Sequence, residues 1–162
     1  MNIDMIRAAQ DRIARRIRRT PLLNAPLLDA AVGRRIWVKP ECLQHTGSFK
    51  YRGASSAISA LDDDARARGI IAYSSGNHAQ GIALAARQSN ASAVIVMPAD
   101  APQIKIENTR ALGAEVVLYD RVGGEDRDVI GQALASERGL TLIKPFDDTW
   151  ILWGDLMKKM SI

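Results

Sequence analysis

A short apolar run, a turn of small polar residues and the start of a helix follow one another in Ile70-Ile71-Ala72-Tyr73-Ser74-Ser75-Gly76-Asn77-His78-Ala79-Gln80-Gly81. The run 70–73 has the length and composition of a strand buried on both faces, and the pattern after it predicts a helix over 77–88. A buried strand that leads directly into a helix is the first half of a parallel βαβ unit. This stretch therefore predicts an α/β fold.

The alternation of strand and helix continues towards the C-terminus. Further apolar runs and helical patterns predict, in order, the strand 93–97, the helix 102–112, the strand 116–119, the helix 125–138 and the strand 140–143. Strands that alternate with helices of this length form parallel sheets with helices on both faces. We therefore predict a small three-layer α/β/α domain over residues 69–146.

A different arrangement precedes this domain. A helical pattern at the N-terminus stops at Pro21, because the residue before a proline leaves helical backbone space. A strand is predicted at 36–40, and a helix from Lys50 to about Leu61. These elements lie outside the regular alternation.

Positive charge is concentrated in the first predicted helix. Its arginines are Arg7, Arg12, Arg15, Arg16, Arg18 and Arg19. Isoleucines at 3, 6, 13 and 17 fall near helical spacing, so we predict that the arginines form the opposite, solvated face. Nucleic-acid binding is not favoured, because no aromatic residues interleave the arginines. Asp4 and Asp11 argue against a mitochondrial presequence.

The composition is that of an ordinary globular protein. The 162 residues are 47% hydrophobic and 25% charged, with a formal net charge of +4. No apolar run approaches the roughly 18 residues that span a bilayer, and no membrane partner is predicted. The single cysteine, Cys42, excludes an internal disulfide and fits a reducing compartment, so we predict a structural cysteine and a cytoplasmic protein. His45 and His78 do not form a metal-ligand pattern with Cys42, and no metal site is predicted.

An unusual lysine lies in Thr46-Gly47-Ser48-Phe49-Lys50-Tyr51-Arg52-Gly53-Ala54. Ser48 is a candidate N-cap, which places Lys50 in the first turn of its helix. A cation there is disfavoured by roughly 0.3–1 kcal/mol, because the N-terminal end of a helix is positive. Lysines in such surroundings can act as Schiff-base nucleophiles. The alternative is a surface lysine that tolerates this small cost.

The turn between the strand 70–73 and its helix is a second candidate site. A short glycine-containing turn at a helix start leaves backbone N–H groups directed at one point, where a carboxylate or phosphate can bind. Ser75 adds a hydroxyl and Asn77 adds an amide that can donate to a ring oxygen. His78 could serve as a base or as a capping and packing group. The alternative is a turn built only from capping residues, without a ligand. Nucleotide binding is not supported, because the motifs G-x-G-x-x-G and G-x-x-x-x-G-K are absent.

The two clusters together resemble a known family. The segment 39–54 is similar to the lysine motif of the fold-type II enzymes that use pyridoxal 5′-phosphate (PLP), in the branch of serine/threonine dehydratases, serine racemases and hydroxyaspartate dehydratases. The segment 74–81 resembles the substrate loop of that branch. The segment 99–114, which includes Pro102, Lys105 and Asn108, continues the similarity. The resemblance covers about residues 15–148 and implies a tryptophan-synthase-β-like fold.

The resemblance implies a role for each site residue. Lys50 would bind PLP covalently and later transfer the proton at the substrate α-carbon. Phe49 would pack beside the cofactor ring, and Asn77 would donate to the ring hydroxyl oxygen. The substrate carboxylate would be held by the loop Ser75, Gly76, Asn77 and His78. The implied activity is a PLP-dependent ammonia-lyase that converts a serine- or threonine-type amino acid into a 2-oxo acid and ammonia, in a homodimer if the protein is full length.

Two other functions remain open. Racemases of this branch carry serine at the position of Ser75, where it can protonate the face opposite the lysine, whereas many threonine dehydratases carry alanine. Serine racemase activity is therefore an alternative. The third possibility is a non-catalytic α/β module, either a decayed fragment or a subunit completed by a second polypeptide.

The C-terminal end departs from the family pattern. Residues 1–60 would form the N-terminal part of the large PLP-binding domain, and 69–146 the small domain. Residues 149–162 do not follow the pattern, and the rest of the large domain, with the glycine-rich loop for the PLP phosphate, would be missing. We therefore expect a truncated or frameshifted product with uncertain activity.

Overall fold

The structure is a computed structural model that describes residues 3–144 and residue 151. Its helices are α1 (Ile3–Ile13), α2 (Pro26–Val32), α3 (Lys50–Ala60), α4 (Asp63–Arg68), α5 (Asn77–Gln88), α6 (Gln103–Ala111) and α7 (Arg127–Arg138). Its strands are β1 (Leu23–Asn24), β2 (Trp37–Val38), β3 (Ile70–Tyr73), β4 (Ala93–Pro98), β5 (Glu115–Tyr119) and β6 (Thr141–Leu142). The elements predicted after residue 69 are all present, within about two residues of their predicted bounds.

A parallel sheet forms the centre of the molecule. Its strands lie in the order β5-β4-β3-β6, and each neighbouring pair is parallel. Ala72 on β3 lies opposite Ile95 on β4, and Val96 lies opposite Val117 on β5. The predicted parallel α/β sheet is therefore confirmed.

Alternate residues of the strands face two separate cores. Ile70, Ala72 and Ile95 pack in one cluster with side chains of α3, α5 and α6. Ile71 and Val94 pack in a second cluster with side chains of α7, which are Ile130, Leu134 and Ala135. Because successive side chains of a strand point to opposite faces, the helices cover the sheet from both sides. The three-layer arrangement predicted from the sequence follows from this packing.

The N-terminal region contains elements that the sequence patterns did not reveal. The helices α2 and α4 and the strand β1 were not predicted, and β2 is shorter than the predicted strand 36–40. β1 pairs with β2 in an antiparallel ribbon outside the main sheet. α2 and this ribbon carry exposed apolar side chains, with Leu27 88% and Trp37 55% exposed. Exposed apolar side chains of this kind can be buried in a contact with a further protein surface.

The prediction that the arginines of the first helix form a solvated face is wrong in part. Arg16 donates a 2.6 Å hydrogen bond to Ser89 after α5, and Arg18 donates to the Leu43 carbonyl oxygen at 3.1 Å. Arg12 is half-buried, and burial lowers its pKa. The helix α1 also ends at Ile13 and does not continue to Pro21 as predicted, so Arg16 and Arg18 lie in the segment after it. Their long side chains connect this segment to the rest of the molecule, because the aliphatic stems can be buried while the charged ends reach polar partners.

Some sequence-based predictions lie beyond what the structure describes. The proposed tail 149–162 and the last two residues of the 69–146 domain lie outside the described residues, apart from Ile151. The division into 1–60 and 69–146 stays a prediction. Among the described helices, none is long and apolar enough to cross a bilayer. Cys42 is exposed and free, so it does not belong to the core.

Candidate functional site

The sheet topology places a crevice at the carboxyl end of β3. From β3 the chain continues to β4 and β5 on one side of the sheet, and α7 then returns it to β6 on the other side of β3. Adjacent strands whose connections run in opposite directions leave a crevice beyond their carboxyl ends, where α/β proteins bind ligands. The turn 74–76 follows β3 directly and therefore lies at this crevice.

Lys50 is the first residue of α3, in agreement with the sequence-based prediction. Its backbone N–H donates to the Ser48 hydroxyl at 3.1 Å, and Ser48 itself is extended, with φ −159° and ψ 147°. Ser48 therefore satisfies the first backbone N–H of this helix, although Phe49 and not Ser48 directly precedes it. The Lys50 Nζ lies 5.2 Å from the centroid of the Phe49 ring, a cation–π distance.

A close helix contact fixes Lys50 relative to the turn after β3. A Cβ added at Gly81 of α5 would lie 3.2 Å from the Lys50 carbonyl oxygen and 3.3 Å from the Tyr51 nitrogen. Only a glycine permits this backbone-to-backbone approach of α5 to α3. Because α5 begins at Asn77, the same contact fixes the distance between the lysine and the turn.

One cavity collects the residues that the sequence predicted for the site. Its volume is about 280 Å³, and it is lined by Phe49, Lys50, Tyr73, Ser74, Ser75, Gly76, Asn77, His78 and Arg127. All six predicted site residues are among them. Ser75 and Asn77 are exposed, Phe49, Lys50 and Gly76 are half-buried, and His78 is buried. The chain separations between these residues are large, so the fold itself brings the two clusters together.

His78 is held as a neutral imidazole. It is 4% exposed, and among the described residues neither ring nitrogen has a hydrogen-bond partner. Burial and, secondarily, the charge of Lys50 lower the pKa of His78 to about 4. A histidine with such a pKa is a poor base at neutral pH, but it can donate from one nitrogen and accept at the other.

The pKa of His78 predicts a loss of stability in mild acid. The unfolded chain binds the proton near pH 6.5, whereas the folded chain resists it down to about pH 4. The stabilisation is therefore complete above pH 6.5 and falls as the pH drops from 6.5 to 4, by roughly 3 kcal/mol in total. Urea unfolding at several pH values in this range measures the free energy of unfolding. This free energy should change less with pH for His78→Gln than for the unmodified chain. An equal pH dependence in the two proteins would contradict the prediction. His45→Gln is the comparison: burial also lowers the pKa of half-buried His45, but less than that of His78, so this variant should flatten the pH dependence less.

Arg127 belongs to this cavity but was not predicted. It is the first residue of α7, and its Cζ lies 5.4 Å from the centroid of the Tyr73 ring. A second cavity of about 190 Å³ shares Ser74, Ser75 and Arg127 with the first. Sequence reasoning could have found Arg127, because α7 follows β5, whose carboxyl end lies at the same edge of the sheet as that of β3.

A buried ion pair supports the segment that carries Lys50. Arg52 is fully buried, and its Nε and Nη2 donate to the two carboxylate oxygens of Glu41 at 2.7 and 2.8 Å. The Thr20 hydroxyl donates to the same carboxylate at 2.6 Å. This bidentate pair joins α3 to the segment before it and was also missed by the sequence reasoning.

The cavity suits an anionic aldehyde cofactor and an amino acid. It contains an amine at Lys50, an amide at Asn77 and the unpartnered ring nitrogens of His78. Lys50 and Arg127 are its charged lining residues, and no carboxylate lines it among the described residues. Across the described part of the chain, no group of three or more His, Cys, Asp or Glu residues could hold a metal ion.

Comparisons with known proteins agree with this site. Residues 13–159 match the family profile described as pyridoxal-phosphate dependent enzyme, a range that includes most of the segment 149–162. The chain is 50% identical over 151 residues to an L-threo-3-hydroxyaspartate ammonia-lyase of Pseudomonas sp, covering 93% of this chain and 47% of that protein.

Solved structures show the same fold. Maize serine racemase superposes with a TM-score of 0.94 at 39% identity, over 99% of this chain and 48% of the racemase. The processed form of threonine deaminase isoform 2 from Solanum lycopersicum superposes with a TM-score of 0.84 at 35% identity, over 99% of this chain and 48% of the deaminase. The chain thus spans about half the length of these relatives, and the expected fold-type II arrangement is confirmed. The chain belongs to the family of pyridoxal-phosphate-dependent enzymes, whose cofactor is PLP.

Proposed function

We propose that this chain carries the catalytic lysine and the substrate loop of a PLP-dependent ammonia-lyase, which converts a 3-hydroxy amino acid into a 2-oxo acid and ammonia. The single observation that carries the proposal is the cavity that gathers Lys50, Phe49 and the loop from Ser75 to His78. The activity named for the Pseudomonas relative supports the reaction class. These relatives are about twice as long as the part that this chain spans, so the activity of a whole enzyme is part of the proposal.

Each residue has a separate task in this proposal. PLP, when bound, supplies an electron sink that weakens the bonds to the substrate α-carbon. Lys50 holds the cofactor through its amine and later transfers the proton at that carbon. Phe49 and Asn77 line the same cavity, where Phe49 would pack against the bound cofactor and the amide of Asn77 would donate a hydrogen bond to it. Backbone N–H groups at the start of α5 hold the substrate carboxylate.

Arg127 favours an acidic substrate within this class. Its guanidinium lies in the same cavity as Lys50. Among the described residues its Nε forms an ion pair with the half-exposed carboxylate of Asp128, at 3.7 Å, and such an exposed pair is weak. A guanidinium binds carboxylates well, since it can donate two parallel hydrogen bonds. We therefore propose 3-hydroxyaspartate, with its second carboxylate, ahead of serine and threonine.

The experiment is to add PLP to the chain and to follow the yellow colour that a lysine-bound PLP produces. Borohydride reduction and peptide mapping then locate the bound PLP, which we expect at Lys50. Release of 2-oxo acid is measured with L-threo-3-hydroxyaspartate, L-threonine and L-serine. A chain that binds PLP at Lys50 but releases no 2-oxo acid would refute the lyase activity of this chain. Colour that fails to develop would favour the non-catalytic module instead.

A second candidate function is racemisation. Ser75 is exposed and lines the cavity together with Lys50, and its hydroxyl suits protonation of the substrate α-carbon from the face opposite the lysine. In an intact version of the enzyme, Ser75→Ala should abolish racemisation and spare elimination, because only racemisation needs an acid on the second face. Chiral chromatography of the amino acid and a 2-oxo acid assay separate the two reactions. Unchanged racemisation in the variant would rule out this role of Ser75.

We also propose that the full-length protein is a homodimer in the reducing cytoplasm. The exposed apolar side chains of α2 and of the β1–β2 ribbon supply surface that association would bury. The free, exposed Cys42 suits a compartment in which thiols stay reduced. Light scattering after gel filtration measures the oligomeric state, and a monomer at micromolar concentration would contradict the dimer.

A further inference from the structure

Lys105 lies beside the substrate loop, although it belongs to a different helix. It is the third residue of α6 and is half-buried. A Cβ added at Gly76 would lie 3.2 Å from the Lys105 Nζ, so the ammonium occupies the space next to the glycine. Gly76 precedes Asn77, the first residue of α5. The positive charge therefore lies directly at the N-terminus of a 12-residue helix.

This position is electrostatically unfavourable for a cation in the protein alone. The N-terminal end of a helix carries a partial positive charge, which repels an ammonium group. Within residues 3–144, no carboxylate forms an ion pair with Lys105, and no acceptor forms a hydrogen bond with its ammonium. The Lys105 ammonium and the N-terminus of α5 therefore have no counter-charge from the described residues, and this arrangement suits a bound anion.

The buried ring of His78 points to a ligand independently. It lies in the first turn of the same helix and lines the cavity that contains Gly76. Neither of its nitrogens has a partner in the described part of the protein, and burial of such groups is costly unless a partner is supplied. A ligand that accepts a hydrogen bond would satisfy one of them.

We propose that Lys105 is a positioning residue for the substrate, whose ammonium supplies the charge that holds the α-carboxylate on the Gly76 loop. The identity of this anion rests on the function proposed above. The backbone N–H groups at the start of α5 fix the direction of the carboxylate, and Lys105 adds attraction from the side of α6. Lys105 does not itself line the cavity, but its half-buried ammonium lies next to Gly76, where it is less screened by water than an exposed ammonium and attracts a carboxylate more strongly.

The proposal can be tested without PLP. The isotope-labelled chain is titrated with L-lactate, a 2-hydroxy carboxylate, and the amide resonances of Gly76 and Asn77 are followed by NMR. Lactamide, which has the same shape without the charge, is the ligand control. Inorganic phosphate is titrated separately, to distinguish a carboxylate site from a site that prefers phosphate.

We expect saturable shifts with L-lactate and about tenfold weaker binding for Lys105→Met, because the main counter-charge is lost. Lys105→Arg should retain binding. Arg110→Met removes one positive charge from the last turn of the same helix and should bind like the unmodified chain. Lys105→Gln serves as a second neutral variant if the methionine variant loses its dispersed spectrum.

Several outcomes would overturn the proposal. They are equal binding by the neutral Lys105 variants, an equal loss in Arg110→Met, equal shifts with lactamide, preference for phosphate, and no saturable shift in the unmodified chain. The outcome of the L-lactate titration is independent of the outcome of the PLP-trapping experiment. A chain that binds L-lactate through Lys105 but does not trap PLP at Lys50 would refute only the function proposed above, and the reverse result would refute only the role of Lys105.

Discussion

Replacing Lys50 with alanine is expected to abolish the borohydride-trapped PLP adduct completely. Lys50 is the lysine that lines the cavity with Asn77, and its backbone is fixed by the hydrogen bond to Ser48 and by the contact with Gly81. Proximity and orientation raise the reactivity of one amine over all others, because the entropy of bringing the groups together has already been lost on folding. The variant should remain folded, since Lys50 is half-buried and alanine is a good helix former.

Lys39 is a second lysine that can react with PLP, so the test must distinguish it from Lys50. Burial, followed by the charge of Arg52, lowers the pKa of Lys39, so its amine is more often neutral and nucleophilic at neutral pH than an ordinary lysine. Its Nζ donates to the Thr20 carbonyl oxygen at 2.9 Å, away from the residues that line the cavity. Peptide mapping must therefore distinguish Lys39 from Lys50. Label that persists in the Lys50→Ala variant and maps to Lys39 would contradict the proposed site, and exposed Lys144→Ala is the matched control.

The strand and helix patterns predicted the small domain because its burial is regular. Residues 70–73 and 93–98 are buried throughout, which a continuous apolar run signals directly. The helix α2 was missed because its residues are largely exposed and apolar at once, a combination that gives no amphipathic period. The two-residue strands of the ribbon are too short for any periodicity. The spacing of residues along the chain does not reveal that the side chains of these strands are exposed.

The site was predictable to the extent that its chemistry lies in contiguous motifs. Lys50 and Asn77 lie in short segments whose residue types indicate their roles. Arg127 and Lys105 lie at the starts of two other helices, and only the strand order brings them to the same edge of the sheet or to Gly76. The residue types around them do not by themselves indicate a role in the site, so only the order of the strands points to these two positions. The buried Glu41–Arg52 pair was missed for the same reason, because each residue by itself is typical of an exposed surface.

The ion pair of Glu41 and Arg52 leads to the largest expected effect on stability. Arg52 is 0% exposed and cannot reach water if its partner is removed. Glu41→Gln should lower the free energy of unfolding by about 3–5 kcal/mol, because it leaves a buried guanidinium without a counter-charge. Urea unfolding at neutral pH measures this loss. Since Arg52 lies two residues after Lys50 in α3, PLP trapping should weaken in the same variant.

A solvent-exposed ion pair in the same protein tests whether burial of Arg52 causes the large loss of stability expected for Glu41→Gln. Arg138 donates from its single Nη1 to both carboxylate oxygens of Glu115 at 2.9 Å, whereas Arg52 donates from two nitrogens, and the side chains of the exposed pair are 41% and 50% exposed. Glu115→Gln should therefore cost only about 0–1 kcal/mol. Equal losses of unfolding free energy in Glu41→Gln and Glu115→Gln would show that burial of Arg52 does not determine the size of the loss.

The pH dependence of the same variants tests the charge of Glu41 directly. Burial raises the pKa of this carboxyl, but hydrogen bonds from Arg52 and Thr20 and the charges of Arg52 and Lys39 outweigh burial, and the net pKa lies below the ordinary value of 4.5. The unfolded chain thus takes up the proton first, so the pair stabilises the fold above pH 4.5 and this stabilisation is lost as the pH falls through the lower, folded pKa. Glu41→Gln has no such carboxyl, and its stability should fall less steeply in that range than that of the unmodified chain. A parallel fall in both proteins would mean that other carboxyls account for acid unfolding and that Glu41 is not held as the charged partner of Arg52.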